Sequence, residues 1–244
     1  MGQAVAEGLG AMVGLSVTTL VDPHEPKETF GALYVPDLGD VDHSTIDVVV
    51  DFSNPEGVVT SAAWCAQHAR GLVVGTTGLS EAQRASVVAA SEHTGVVIAS
   101  NYSLGAALSE RFAAMAAPYF SRVEIIELHH DKKVDAPSGT SLTTAQGIVE
   151  ARRRAGLAPL SDPTQRFTLE GTRGGDAGDG VKIHSVRLPG LVAHQEVLFG
   201  GPGEGLTIRH DSFDRTSFVQ GVALAVRAVS ASPKLTLGID AFIE

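Results

Sequence analysis

Over roughly the first hundred positions, short apolar runs alternate with stretches of helical spacing. Residues 14–22, 46–52, 71–78 and 96–102 are near-continuous apolar runs, the pattern of strands buried on both faces. Between them lie helical segments. Residues 1–10 carry Val5 and Leu9 on one face. Asn54 and Pro55 supply an N-cap and a first-turn proline for a helix running to about Ala69. Ser80 opens a third helix, and an Ala-rich helix covers 103–120. The stretch up to Ser44 is acidic and rich in Pro and Gly, and reads as loop. A strand follows at 123–128 and a helix to Arg154, then an irregular segment over 156–180. From Val181 the pattern changes. Residues 181–188, 191–199 and 205–210 read as strands split by Pro-Gly and Gly-rich turns, giving an antiparallel or mixed sheet with an open face suited to oligomerisation. The apolar helix at 218–229 is too hydrophobic to stay exposed and should pack back on the first domain.

These elements predict an α/β chain in two parts. A Rossmann-like dinucleotide-binding domain spans 1–102 and is completed by 213–244. An α+β substrate-binding and oligomerisation domain with an open mixed sheet spans 103–212. Each early strand ends in small or polar residues: Asp22, Phe52-Ser53, Gly75-Thr76-Thr77 and Ser100-Asn101-Tyr102. Ligands of doubly wound sheets bind at such carboxyl ends. A glycine at 75 would let a backbone approach a flat ligand closely. A helix followed by a strand and Asp22 is the second half of a dinucleotide-binding βαβ unit, in which the acid holds the ribose. Asp22 equally suits the start of the loop 22–26. The strand and glycine-rich turn that would form the first half are not in the sequence. Met1-Gly2 reads as the tail of that turn, and a start codon set too late is the expectation.

Composition narrows the function. The 244 residues are 43% hydrophobic and 19% charged, enough apolar content for a sizeable core. The formal charge is −10, from 28 acids against 18 bases, which argues against nucleic acid or an acidic membrane as the main partner. No apolar run is long enough to span a membrane, and the N-terminus lacks the basic region of a signal peptide. The single cysteine, Cys65, sits in an apolar helical context as a core residue, and its solitude fits a reducing cytoplasm.

The densest chemistry lies in Glu127-Leu-His-His-Asp-Lys-Lys-Val-Asp-Ala-Pro-Ser-Gly-Thr140. Ser138 is a good N-cap, so Gly139 and Thr140 open a helix whose first amides lack intrahelical partners and carry partial positive charge. His129, His130, Lys132 and Lys133 come just before. Together they describe a pocket for a small carboxylate or phosphate with a proton donor alongside. Adjacent histidines rarely point at one ion and no further Cys or His follows at ligand spacing, so no metal site is expected. The arginines 152–154 read as helix-end capping and solvation.

With this segment, Val74-Gly-Thr-Thr-Gly78, Asp51-Phe-Ser-Asn-Pro55 and Ile208-Arg-His-Asp-Ser-Phe-Asp-Arg-Thr-Ser-Phe218, the chain resembles the 4-hydroxy-tetrahydrodipicolinate (dihydrodipicolinate) reductases nearly end to end. Residues 190–199 look most like the actinobacterial branch. The resemblance implies NAD(P)H-dependent reduction of a cyclic dicarboxylate in lysine and diaminopimelate synthesis, with a homotetramer assembled through the second domain's sheet. By position it makes His129 the proton donor or acceptor and Lys133 a proton donor, leaving open which gives the decisive proton. It makes His130, Lys133, Gly139 and Thr140 substrate-binding. It makes Met1, Asp22, Gly75, Thr76, Thr77, Ala99, Ser100, Asn101 and Tyr102 cofactor contacts. No arginine follows Asp22 to meet a 2′-phosphate, which points to NADH, although the family often uses both cofactors. Two alternatives remain: an inert assembly homologue, suggested by the missing glycine turn, and a same-fold oxidoreductase with another substrate.

Overall fold

The computed structural model describes residues 1–229 and 233–243. In chain order it runs α1 (Gly2–Gly10), β1 (Thr19–Val21), β2 (Leu33–Val35), β3 (Val48–Asp51), α2 (Pro55–His68), β4 (Gly71–Val74), α3 (Glu81–Ala90) and β5 (Gly95–Ile98). Then come α4 (Leu104–Ala116), β6 (Arg122–His129), α5 (Gly139–Arg154), β7 (Gly175–Asp176), β8 (Lys182–Arg187), β9 (Ala193–Gly201) and β10 (Glu204–Ser212). The described chain ends with α6 (Val219–Ala228) and β11 (Lys234–Leu237). It divides into two compact units, Met1–Leu104 with Arg215–Glu244, and Gly105–Asp214. Glu244 itself lies outside the described residues.

The first unit is α/β and Rossmann-like. A four-stranded parallel sheet has the order β11-β5-β4-β3. Its inner strands are buried at every position. Val58, Ala62 and Cys65 of α2 and Val87 and Ala90 of α3 pack on Leu72, Val74, Val96 and Ile98. Local sequence explains these helices. Asn54 accepts the amides of Glu56 and Gly57 with Pro55 in the first turn, and Ser80 and Gln83 form a reciprocal capping box. Burial pushes the Cys65 thiol up to about 12, as suits a core residue. α6 lies against α1 and β4 within this unit.

Three readings are corrected here. The run 14–22 is a strand only at Thr19–Val21, because its partner β2 is three residues long and ladder pairing ends with it. β2 itself falls inside the stretch read as loop, and β1-β2 form a separate parallel pair. β11, which joins the sheet beside β5, was not legible from its short apolar content.

The second unit is a mixed five-stranded sheet of order β10-β9-β6-β8-β7, with only β6 and β8 parallel. Alternation along β6 puts Val123, Ile125 and Glu127 on the buried face and Glu124, Ile126 and Leu128 on the other. On the buried face, Val123, Ile125, Ile183, Val197 and Phe199 pack with Ala113, Ala145, Ile148 and Val149 of α4 and α5. Arg152 is not the solvated helix-end cation expected. It is buried, and its Nη1 donates to the carbonyls of Ala117 and Phe120, closing the segment after α4. Arg153 and Arg154 are exposed at the helix end as anticipated, and Arg153 pairs with Asp179.

Candidate functional site

β6 delivers His129 at its C-terminal end, and the loop 130–138 returns the chain to the start of α5. Ser138 caps that helix by accepting the Ser141 amide at 3.2 Å, so Gly139 and Thr140 are its first residues. Gly139 is exposed, and open space surrounds the position its side chain would take. His130 and Lys132 are exposed, and Lys133 is half-buried.

What organises these groups is Glu127, which is fully buried. Its Oε2 meets His129 Nδ1 at 2.5 Å, and Arg187 donates to both oxygens at 2.8 Å. Arg187 Nη2 also donates to the Asp135 carbonyl at 2.7 Å, and the Asp135 carboxylate accepts Lys133 Nζ through both oxygens at 2.8 Å. One network therefore runs from His129 through Glu127, Arg187 and Asp135 to Lys133. Burial raises the Glu127 carboxyl, but hydrogen bonds from Arg187, Ser185 and His129 outweigh it and the group is held below the usual range. It stays ionised. An ionised carboxylate can only accept, so His129 carries its proton on Nδ1 and offers the Nε2 lone pair. Burial pulls the His129 imidazole below its ordinary value, and the nearby charges of Lys133 and Arg187 add to this. Glu127 opposes the shift without reversing it. The site thus holds a neutral imidazole, an ammonium and a helix N-terminus within one loop and its flanks.

The other candidate residues belong to the first unit. β3, β4 and β5 run parallel with Asp51, Val74 and Ile98 at adjacent ladder ends, so the segments from Gly75 and from Ala99 leave the sheet side by side. Thr77 and Ser100 are exposed there, and Asn101 is half-buried with Oδ1 accepting the Ser103 amide. Asp22 is exposed after β1, and its carboxylate accepts the His24 amide at 2.9 Å. Met1 is the N-cap of α1, which has no side-chain cap. Small polar residues at parallel strand ends suit a dinucleotide.

Two of these residues turn inward. Thr76 is buried and donates to Asp51 at 2.6 Å. Tyr102 is buried with its hydroxyl on the Val74 carbonyl at 2.8 Å, where the Ala99 amide also donates. Their side chains build the strand ends and leave only backbone to a ligand. At Gly75 a Cβ would lie 2.1 Å from the Phe52 ring, so the glycine also leaves room for that ring.

Sequence reading overlooked Asp51, Glu127, Arg187 and Gln195. Asp51 accepts Ser53, Ser61 and Thr76 in a buried cluster. A charged residue inside an apolar run was the available signal for Asp51 and Glu127, while nothing local marks Arg187 or Gln195.

Residues 1–102 match the family described as dihydrodipicolinate reductase, N-terminus, and residues 105–243 match dihydrodipicolinate reductase, C-terminus. The chain is 48% identical over 247 aligned positions to the 4-hydroxy-tetrahydrodipicolinate reductase of Nocardia farcinica, covering 100% of this chain and 94% of that one. It is 45% identical to the enzyme of the same name from Streptomyces avermitilis, covering 97% and 96%. A solved structure, dipicolinate-bound dihydrodipicolinate reductase from Paenisporosarcina sp. TG-14, superposes with a TM-score of 0.85 at 36% identity, covering 98% of this chain and 94% of that one.

Proposed function

Because this chain belongs to the dihydrodipicolinate reductase family, we propose that it reduces 4-hydroxy-tetrahydrodipicolinate to tetrahydrodipicolinate with NADH or NADPH, in lysine and diaminopimelate synthesis. The reaction consumes one hydride and one proton and releases water. When bound, the dihydronicotinamide supplies the hydride. The chain's own residues bind, orient and protonate.

The observation that carries the assignment of roles is the Glu127-centred network, tied through Arg187 and Asp135 to the loop that leads into α5. One carboxylate of the substrate is received by the first amides of α5, at Gly139 and Thr140, with His130 and Lys133 adding donors and charge. Lys133 Nζ is an ammonium donor held by Asp135, whereas His129, its imidazole held below its ordinary value chiefly by burial, keeps Nε2 as an acceptor. Lys133 is therefore the proton donor, and His129 accepts a hydrogen bond or a proton and keeps the reacting ring in place. A dianion arriving at Lys133 competes with Asp135, which releases the ammonium toward the substrate. In the first unit, Gly75–Thr77 and 99–102 present backbone and small polar groups to the dinucleotide, and Asp22 accepts the ribose hydroxyls. A carboxylate at Asp22 repels a 2′-phosphate, so NADH is the better cofactor.

No helix among the described residues is long and apolar enough to cross a membrane, and we place the reaction in the cytoplasm. The assembly is a homotetramer. On the second unit's outer sheet face Ile126, Leu128, Val186 and Leu198 remain half-exposed beside cross-strand pairs of Arg209 with Glu196 and His194 with Asp211. A mixed apolar and paired-charge face of this kind suits a second copy of the same sheet.

The test is a steady-state assay of NADH oxidation with the hydroxylated precursor, run on the unaltered chain and on Lys133→Ala. Turnover that Lys133→Ala reduces by at least about a thousandfold supports the assignment. Equal turnover in both removes Lys133 from it. Sedimentation of the same preparation reads the oligomer.

A further inference from the structure

Gln195 lies on β9, on the face that packs against α5, where its neighbours along the strand are the core residues Val197 and Phe199. An apolar side chain would continue that row. Instead a buried amide is there with both ends engaged. Ser141 Oγ donates to Gln195 Oε1 at 2.7 Å, and Gln195 Nε2 donates to Thr144 Oγ1 at 2.9 Å. Thr144 in turn donates to the Thr140 carbonyl at 2.9 Å, and Ser138 Oγ is 2.8 Å from Ser141 Oγ.

Proton counting gives this chain of bonds one direction. Thr144 has one hydroxyl proton, and the Thr140 carbonyl can only accept it. Thr144 Oγ1 must then accept from Gln195, which puts the amide nitrogen on that side and the amide oxygen toward Ser141. The Ser141 proton goes to that oxygen, so the Ser138 proton goes to Ser141, while Ser138 Oγ accepts the Ser141 amide. The relay runs Ser138, Ser141, Gln195, Thr144, Thr140. It leaves α5 at its cap, passes through the sheet and returns to the carbonyl of the second helical residue. All four hydroxyl and amide side chains along it are buried: Ser138, Ser141, Thr144 and Gln195.

We propose that Gln195 is a positioning residue for the substrate carboxylate: it fixes the first turn of α5 to β9 so that the Gly139 and Thr140 amides are aimed before substrate arrives. This rests on the assignment of those amides to the carboxylate. Gln195 touches no substrate in this scheme and acts only through Ser138, Ser141 and Thr144. Replacing it leaves buried hydroxyls without their partners, and the cheapest repair is for the first turn to shift toward water. Misplacement of a positioned donor pair costs ligand affinity steeply. The dinucleotide residues of the first unit share no member of the relay.

The experiment compares Gln195→Met, which keeps length but removes both bonds, with Ser141→Ala, which cuts the relay on the helix and is the milder change. Isothermal titration with dipicolinate and with NADH is combined with steady-state kinetics and amide hydrogen exchange. Both variants should weaken dipicolinate and raise KM for the hydroxylated precursor by about tenfold to a hundredfold, with the Kd of NADH unchanged within about twofold and kcat within about threefold. The double variant should be no worse than the poorer single one, because both cut one relay. Unchanged dipicolinate affinity, or equal loss of NADH and dipicolinate, overturns the proposal. Exchange at 139–142 is read without ligand. Faster exchange in the variants supports the relay even if the unaltered chain fails to bind dipicolinate, a result that would instead defeat the carboxylate assignment. Unchanged exchange defeats the relay itself.

Discussion

Glu127 and Gln195 stand opposite each other in the β6–β9 ladder, both buried on the helix-covered face of the second unit's sheet. One holds the charged side chains of the site and the other holds the helix that the site opens onto. Glu127 gathers His129 and Arg187, and through Arg187 the Asp135 backbone that carries the partner of Lys133. Gln195 gathers Ser141 and Thr144 of α5. A polar pair inside an otherwise apolar layer is costly unless every donor and acceptor finds a partner. Here the partners are groups that a carboxylate-binding, proton-transferring site would need held still.

Replacing Glu127 with Gln should move the acid limb of the kcat/KM profile to lower pH. Burial already depresses the His129 imidazole, and the Glu127 charge is what opposes that shift. With the charge gone, the imidazole falls further, so its neutral form persists to more acidic solution. The same change should lower kcat by about a hundredfold, because an amide can donate to Nδ1 and no longer dictates the tautomer, and Arg187 loses its counter-charge. A profile measured across the acid and neutral range decides. An acid limb that stays where it was would separate His129 from Glu127.

Tyr102→Phe should cost about 0.5–1.5 kcal/mol of stability and leave NADH affinity alone. The ring is 1% exposed and its hydroxyl donates to the Val74 carbonyl at 2.8 Å. Burial drives the phenol far above its ordinary range, so it has no ionised form to offer a ligand. Chemical denaturation of both chains with parallel NADH titration checks this. A tenfold weaker NADH complex would mean that the Tyr102 side chain reaches the cofactor.

Gly75→Ala should destabilise by about 1–3 kcal/mol and weaken NADH, since the added methyl meets the Phe52 ring at 2.1 Å and forces it to move. Phe52 also lies edge-on to Tyr102, with ring centroids 5.7 Å apart, so the displacement spreads along the strand ends. Trimming the obstacle with Phe52→Leu in the same chain should restore much of the thermal stability. If Gly75→Ala melts like the parent and only NADH binding drops, the glycine serves ligand approach rather than Phe52.

Much of this was legible before any coordinates. Asn54-Pro55, Ser80 with Gln83, and Ser138 announce their helices because a cap acts over two or three residues, and all three do so in the structure. The apolar runs at 46–52, 71–78 and 96–102 became the parallel strands β3, β4 and β5 for a similarly local reason. β11 was missed because four residues near the chain's end become a strand only by lying along β5. Arg152 was misread because a cation in the last helical turn satisfies a local rule, whereas its actual partners lie 32 and 35 positions away.

By itself, the sequence determined the kinds of element, the family motifs and the capped helix start after a cationic loop, since each depends on neighbours along the chain. Tertiary structure alone decided which polar side chains became buried partners. Arg187 reaches Glu127 across 60 positions and Gln195 reaches Ser141 across 54. Burying a carboxylate or an amide is tolerable only where another strand or helix supplies its complement, and that complement exists only once the sheet has formed.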